Sequence, residues 1–112
     1  MSHQNSITIE GNLVSDPDVI SGEKGDMARF RIASNSRYKD REDVTYVDIK
    51  VFRNVMNDLN YFDPKKGSRV VVDGRFVIEE WEKDEQKFRS PVIYANRITR
   101  VHTPPKKSDS DF

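Results

Sequence analysis

The sequence predicts an all-β fold, a closed barrel of five strands with one short helix between the third and fourth strands. Segments in which apolar and polar residues alternate recur along the chain, and such alternation is typical of half-buried strands. Two of these segments contain a glycine, Gly11 or Gly74, where a barrel strand has to bend. One segment near the middle of the chain changes to helical spacing. These observations predict a small barrel, with a small β-sandwich as the alternative.

The first three strands are predicted from their residue patterns. Residues 6–15 alternate around Gly11, a predicted bulge or bend, and an Asp-Pro-Asp motif at residues 16–18 ends the strand. Residues 27–34 alternate again, and residues 44–52 are rich in the β-branched and aromatic residues that strands favour. The polar segments at residues 22–26 and 35–43 are predicted to be a turn and a loop.

The segment NVMNDLNYF is predicted to form the helix. Its apolar residues Val55, Leu59 and Phe62 recur at the i, i+4, i+7 spacing of one helical face. Asn54 is the predicted N-cap, and the Asp-Pro pair that follows Phe62 is expected to end the helix.

Two long strands, residues 69–82 and 87–102, complete the predicted barrel. Five strands with a helix between the third and fourth is the element order of an OB-fold. We therefore predict one OB-fold domain, residues 1–102, followed by a short disordered tail with an acidic tip, residues 103–112.

The stretch EEWEKDEQKF contains the only tryptophan of the chain, set among acidic residues. A turn over residues 83–86 would place Trp81 opposite Phe88 on one face of a hairpin. Glu80 and Glu82 would then point to the other face, each opposite a basic residue. On this hypothesis Trp81 either stacks on a nucleic-acid base or covers the end of the barrel.

Composition narrows the class of protein. The 19 basic and 19 acidic residues balance in number. Residues 86–107, however, contain six bases and no acid, so the neutral total is compatible with a basic face.

Without cysteine, and with two histidines that share no ligand spacing, we expect no disulfide, metal or cofactor. The chain has neither a signal-peptide pattern nor a long apolar run, so we expect a soluble intracellular protein. We also expect no enzyme, since no nucleophile has a nearby histidine and no glycine-rich phosphate loop occurs.

Aromatic residues fall on predicted loops or polar strand faces, and basic residues lie beside them. Single-stranded nucleic acid needs this mixture, because each base stacked on an aromatic ring contributes roughly 1–3 kcal/mol and the backbone needs cations. The aromatic candidates are Tyr38, Tyr46, Phe52, Trp81 and Phe88. The basic candidates are Arg37, Lys39, Lys50 and Arg53.

Four segments, in order, carry a family resemblance: ITIEGNLVSDPDV (residues 7–19), ARFRIAS (28–34), TYVDIKVF (45–52) and KKGSRVVVDGRF (65–76). They resemble the bacterial single-stranded-DNA-binding proteins over residues 6–102. The resemblance implies an OB-fold homotetramer that binds single-stranded DNA without sequence preference and catalyses nothing. It also implies a role in DNA replication, recombination and repair in the bacterial cytoplasm, associated with the nucleoid. An edge strand at residues 7–13 is expected to pair with its copy in the oligomer.

The same resemblance implies roles for individual residues. Tyr38, Tyr46, Phe52 and Trp81 would be stacking platforms, and Lys65 and Lys66 would contact phosphate. Three acids depart from the family pattern, because bases are expected there: Asp48, Glu79 and Glu80.

The chain ends in SDSDF, which resembles the tip through which the family docks replication and repair proteins. Asp109, Asp111 and Phe112 are therefore the candidate partner-binding residues. Two other functions fit the sequence, an RNA-binding OB module and an OB-fold adaptor that binds proteins.

Overall fold

The computed structural model describes residues 2–101, which form six strands, a 3₁₀ turn and one α-helix. In chain order they are β1 (Ile7–Leu13), β2 (Asp18–Gly22), β3 (Gly25–Tyr38), β4 (Arg41–Phe52), the 3₁₀ turn (Arg53–Val55), α1 (Met56–Phe62), β5 (Arg69–Lys83) and β6 (Gln86–Arg100). Among these residues, no helix has the length and apolar character needed to cross a membrane.

The strands form one sheet in the order β1-β5-β6-β4-β3-β2. The end of β1 also pairs with β3, where Asn12 lies opposite Ala33 and Leu13 opposite Ile32. This pairing closes β1, β5, β6, β4 and β3 into a five-stranded barrel, and β2 extends it as a hairpin partner of β3. The predicted barrel is confirmed, with its helix between the third and fourth barrel strands, and the sandwich alternative is wrong.

The core lies inside the barrel because alternate residues of each strand point inward. On β3 the inward residues are Ala28, Phe30 and Ile32, all buried, while the residues between them point outward. The helix α1 packs its buried Met56 and Leu59 against the same core. The outward faces of β3 and β4 are thereby left for polar and aromatic side chains.

Gly11 and Gly74 both occupy positions where a side chain would not fit, but for different structural reasons. At Gly74 a bulge shifts the β5–β6 register, and an added Cβ would lie 2.2 Å from the carbonyl oxygen of Tyr94. At Gly11 the β1–β5 register is continuous, so no bulge forms there. An added Cβ would instead lie 2.7 Å from the carbonyl oxygen of Ala33, because β1 crosses β3 closely at the barrel closure.

Two sequence-based expectations about the strands are corrected. Residues 35–43 are not a loop, because β3 and β4 continue to a tight turn after Tyr38. The strand β2, which begins at Asp18, was not expected. All five residues of β2 are exposed, and most residues of the β3–β4 tip are too, so no buried face imposed the alternation that reveals a strand.

The start of the helix also differs from the prediction. Asn54 is not an N-cap, since it lies within the 3₁₀ turn, and α1 begins after Val55 without a side-chain cap hydrogen bond. The end is as expected: Asp63 takes a left-handed backbone conformation with φ of 45° and terminates the helix before the buried Pro64.

Candidate nucleic-acid interface

An open groove of about 860 Å³ runs across the outward faces of β3, β4, β5 and β6. Outward residues of β4, such as Lys50, alternate with the buried Ile49 and Val51 that anchor the strand in the core. The charged side chains of the groove therefore come from strand positions that the core does not use, although the core residue Phe30 also lines it.

Trp81 and Phe88 form an aromatic pair at one end of the groove. They lie directly opposite each other on β5 and β6, with ring centroids 5.7 Å apart and ring planes 18° from parallel. Trp81 is 48% exposed and Phe88 is 38% exposed, so neither ring belongs to the core. The predicted hairpin register is confirmed.

The turn of this hairpin explains the register. Lys83 pairs with Gln86, and the two residues between them, Asp84 and Glu85, have φ of 53° and 68°. Positive φ at both central residues is the signature of a type I′ turn, whose twist matches that of the flanking strands.

The acidic neighbours of Trp81 point away from it. Glu80 lies opposite Arg89, whose Nε donates a 2.6 Å hydrogen bond to Glu80 Oε1. Glu82 lies opposite Lys87. As the sequence predicted, these acids face bases across the hairpin, on the opposite face from Trp81 and Phe88.

Glu79, by contrast, shares the face of Trp81 and enters a compact network. Lys50 Nζ donates hydrogen bonds of 2.8 and 2.9 Å to the two carboxylate oxygens of Glu79. The Tyr94 hydroxyl donates another, 2.6 Å long, to Glu79 Oε2. The Lys50 and Glu79 side chains are only 25% and 26% exposed, so water screens this pair less than it screens a surface salt bridge.

The network shifts two ionisation equilibria. The hydrogen bonds from Lys50 and, second, from Tyr94 lower the pKa of Glu79. The hydrogen bond to the Glu79 carboxylate raises the pKa of Tyr94, since it favours the neutral phenol. The network therefore holds an ionised Glu79 and a protonated Tyr94 at neutral pH.

A second ion pair joins β3 to β4. Arg31 and Asp48 are cross-strand partners, and the Arg31 guanidinium donates hydrogen bonds of 2.8 and 3.4 Å to the two oxygens of Asp48. The hydrogen bond to Asp48 raises the pKa of Arg31. Further along the groove, Arg29 lies 3.9 Å from Asp18.

Aromatic contacts connect the network to Phe52. The half-buried Phe52 packs edge to face against Tyr94, with ring centroids 5.1 Å apart. The Arg75 guanidinium lies 5.3 Å from the centroid of the Tyr94 ring, within cation–π range. Tyr94 therefore contacts the ring of Phe52, the guanidinium of Arg75 and the carboxylate of Glu79.

The β3–β4 hairpin presents its aromatic residues singly. Tyr38 is 69% exposed and Tyr46 is 61% exposed. Lys39 Nζ lies 5.3 Å from the centroid of the Tyr38 ring, and Arg37 lies opposite Glu42 across the hairpin. Tyr46 shares the outward face of β4 with Lys50.

The predicted basic residues that flank the helical segment, Arg53 before it and Lys65 and Lys66 after it, do not line the groove. Lys65 Nζ is 3.2 Å from Asp63, and the backbone N–H of Lys66 donates a 2.7 Å hydrogen bond to Asp16. Neither lysine lines the groove. Arg53 is exposed at the start of the 3₁₀ turn, with a left-handed φ of 47°.

Of the predicted residues, then, Lys50 and Trp81 line the groove, while Phe52 and Phe88 contact residues that line it. The lining residues that were not proposed from the sequence include Arg29, Arg31 and Tyr94. Alternation could have found the two arginines, which point outward between buried residues of β3. Tyr94 joins the site through the parallel pairing of β6 with β4, which no local pattern reveals.

Two predictions of the sequence analysis concern other features. The partner-binding candidates Asp109, Asp111 and Phe112 lie outside the described residues. Within residues 2–101, no cluster of three or more histidine, cysteine or acidic side chains could hold a metal ion.

Comparisons with known proteins agree with this geometry. Residues 4–101 match the Single-strand binding protein family. The Single-stranded DNA-binding protein of Aquifex aeolicus is 31% identical over 107 residues, covering 89% of this chain and 71% of that protein. The family resemblance found in the sequence is thereby confirmed.

Solved structures show the same fold. The single-stranded-DNA complex of the Plasmodium falciparum protein superposes with a TM-score of 0.79 at 21% identity, over 91% of this chain and 98% of that one. The small single-stranded-DNA-binding protein of Streptomyces coelicolor gives 0.70 at 25% identity, over 86% and 93%. With an OB-fold barrel, an exposed aromatic pair beside a groove and a family match over nearly its whole length, this chain belongs to the single-strand binding protein family.

Proposed function

We propose that the chain binds single-stranded DNA with little sequence preference and so protects it during replication, recombination or repair in the bacterial cytoplasm. The Trp81–Phe88 pair carries this proposal. It is stacked, exposed and set beside an open groove, in a chain that belongs to the single-strand binding protein family. A flat, accessible ring suits any base, because every base has a π-face.

In this proposal the aromatic residues stack on bases and the basic residues contact phosphates. The stacking platforms are Tyr38, Tyr46, Phe52, Trp81 and Phe88. The phosphate contacts are Arg37, Lys39, Arg53, Lys65 and Lys66, whereas Lys50 is paired with Glu79 within the groove and would meet the DNA there. Binding is the whole of the proposed activity, and no catalysis is proposed.

The proposed binding domain is residues 1–102, and the tail at residues 103–112 is proposed to dock replication or repair proteins. Phe112 would fill an apolar pocket while Asp109, Asp111 and the terminal carboxylate meet basic side chains. Deleting residues 108–112 should abolish capture of those partners and leave DNA affinity equal or slightly higher. Unchanged capture would refute the docking role.

We also propose a homo-oligomer, a tetramer in the form that the family resemblance implies. Support comes from β1, which pairs with β5 from Ile7 onward but meets β3 only at Asn12 and Leu13. The rest of its second edge is open to pair with the same edge of another copy. Sedimentation of a monomer at micromolar concentration would contradict this.

Binding itself can be tested with the single tryptophan as the reporter. Titration with poly(dT) should quench its fluorescence. Affinity should fall with salt, by about 0.7 in log K for each phosphate neutralised and each tenfold rise in salt concentration. Single-stranded RNA of equal length and duplex DNA serve as competitors. An affinity independent of salt, or a preference for duplex, would refute the proposal.

A further inference from the structure

The groove beside Trp81 matches each of its cations with a carboxylate. Three basic side chains line it together with Asp18, Asp48 and Glu79, while the fourth lining acid, Glu80, turns its side chain to the other face and pairs with Arg89. Each of the three bases has an acidic partner within the groove itself: Arg29 has Asp18, Arg31 has Asp48, and Lys50 has Glu79. A phosphate entering this groove would therefore meet a surface with no net positive charge.

The two closest pairs would resist exchange with phosphate. Glu79 receives Lys50 on both oxygens and Tyr94 on one, so its carboxylate is held from two strands. Asp48 is held by two hydrogen bonds from Arg31 on the adjacent strand. A phosphate that bound Lys50 or Arg31 would have to displace a carboxylate or lie against it, and like charges at that separation repel.

We propose that Glu79 and Asp48 are internal counter-ions that exclude phosphate from the groove, so that the groove receives bases and the sugar–phosphate chain remains outside it. This inference rests on the proposed binding of single-stranded DNA and deepens it. Bases are uncharged, and the groove offers them the exposed Trp81–Phe88 pair. The phosphates would instead follow exposed cations such as Arg37 and Lys39 at the β3–β4 tip.

The inference predicts a salt dependence shallower than the number of basic residues at the interface suggests. Neutralising one counter-ion should free its cation for one more phosphate. Glu79→Gln and Asp48→Asn should each steepen the slope of log K against log salt by about 0.7, and the double variant by about 1.4. For a single variant, the gain in affinity between about 200 and 50 mM salt should be roughly 2.6-fold larger than in the unmodified protein.

Glu10→Gln is the matched control. Glu10 forms an ion pair with Arg69 across β1 and β5, and neither residue lines the groove beside Trp81. This substitution changes net charge by the same amount as Glu79→Gln, so it measures the effect of overall charge alone. Its slope should stay close to that of the unmodified protein.

The experiment measures binding of fluorescein-labelled oligo(dT) by anisotropy across a salt series, with thermal unfolding of every variant. Glutamine and asparagine preserve side-chain shape and keep one acceptor oxygen. The two sites lie on different strands, so loss of folding at one leaves the other as a test. Slopes for Glu79→Gln and Asp48→Asn that match Glu10→Gln would overturn the inference while DNA binding stands. Failure of the unmodified protein to bind at any salt would overturn the proposed function, and the inference with it.

Discussion

The β3–β4 and β5–β6 hairpins both present aromatic residues, but they hold them differently. In β5–β6, Trp81 lies opposite Phe88 and the two rings stack. In β3–β4, Tyr46 lies opposite Ala33 and Tyr38 opposite Arg41, so neither tyrosine has a ring as its cross-strand partner. One hairpin therefore offers a supported platform, and the other offers two single rings.

This difference bears on the free energy of binding. A side chain that is immobilised on binding loses roughly 0.5–1.5 kcal/mol of rotamer freedom. Trp81 is already held by its stack with Phe88, whereas Tyr38 and Tyr46 are more exposed and neither stacks on another ring. We therefore expect Trp81 to contribute more to affinity than either exposed tyrosine.

The largest expected effect comes from a substitution at the base of the β5–β6 hairpin. Gly74→Ala would place a Cβ 2.2 Å from the Tyr94 carbonyl oxygen, a backbone atom that cannot move aside alone. We expect the free energy of unfolding to fall by about 3 kcal/mol. Urea denaturation measures this, with Gly22→Ala as control, because its Cβ would lie 3.5 Å from the nearest atom, an ordinary contact. Equal stabilities of the two variants would contradict the proposed clash.

Removing the rings tests the comparison directly. Trp81→Ala should weaken binding of single-stranded DNA by roughly 1–3 kcal/mol, and Tyr38→Ala should weaken it less. Anisotropy of a labelled oligonucleotide measures both, with Tyr61→Ala as control, since Tyr61 is an exposed aromatic on α1 that does not line the groove. A Trp81→Ala variant that binds normally but melts much earlier would show that Trp81 covers the barrel end.

A smaller change tests how the groove beside the β5–β6 platform is held. Lys50 and Tyr94 lower the pKa of Glu79 in the folded protein. The ionised carboxylate therefore stabilises the fold at pH values above the pKa of Glu79 in the unfolded chain, about 4.3. This contribution is lost as the pH falls through the folded pKa. Tyr94→Phe removes the hydrogen bond from the Tyr94 hydroxyl to Glu79. The pKa of Glu79 should rise but stay below its ordinary value because Lys50 remains, and stability at pH 7 should fall by about 1 kcal/mol. NMR titration of the Glu79 carboxyl carbon measures the shift, and an unchanged titration would contradict the assigned role of Tyr94.

The smallest expected effect compares the two turns. Glu85 and Lys39 have φ of 68° and 56°, which glycine adopts without steric strain. Glu85→Gly and Lys39→Gly should each raise the free energy of unfolding by about 0.5 kcal/mol, because relief of strain exceeds the added freedom of the unfolded chain. Glu82→Gly is the control and should destabilise the strand, measured by thermal unfolding. Loss of stability in both turn variants would show that these turns are not strained.

Much of the fold was predictable because it depends on local patterns. Alternation and β-branched content identified the first three barrel strands, and the change of spacing at Val55 identified the helix. The pairing of Trp81 with Phe88 was also predictable, since a tight turn joins adjacent strands and sets their register. Alternation failed for β2 and for the tip of β3–β4, where no buried face requires it.

The outward-pointing side chains can be read from the sequence alone, since the period of a strand assigns each residue to one face. Which of these outward residues contact one another depends on how the barrel closes. Lys50 and Tyr94 are partners because β4 and β6 pair in parallel on closure of the barrel, and Glu79 joins them from β5. Such contacts join strands that are distant in the chain. Their register follows from packing of the whole core, so the acidic residues of the groove acquire basic partners that no local segment of the sequence specifies.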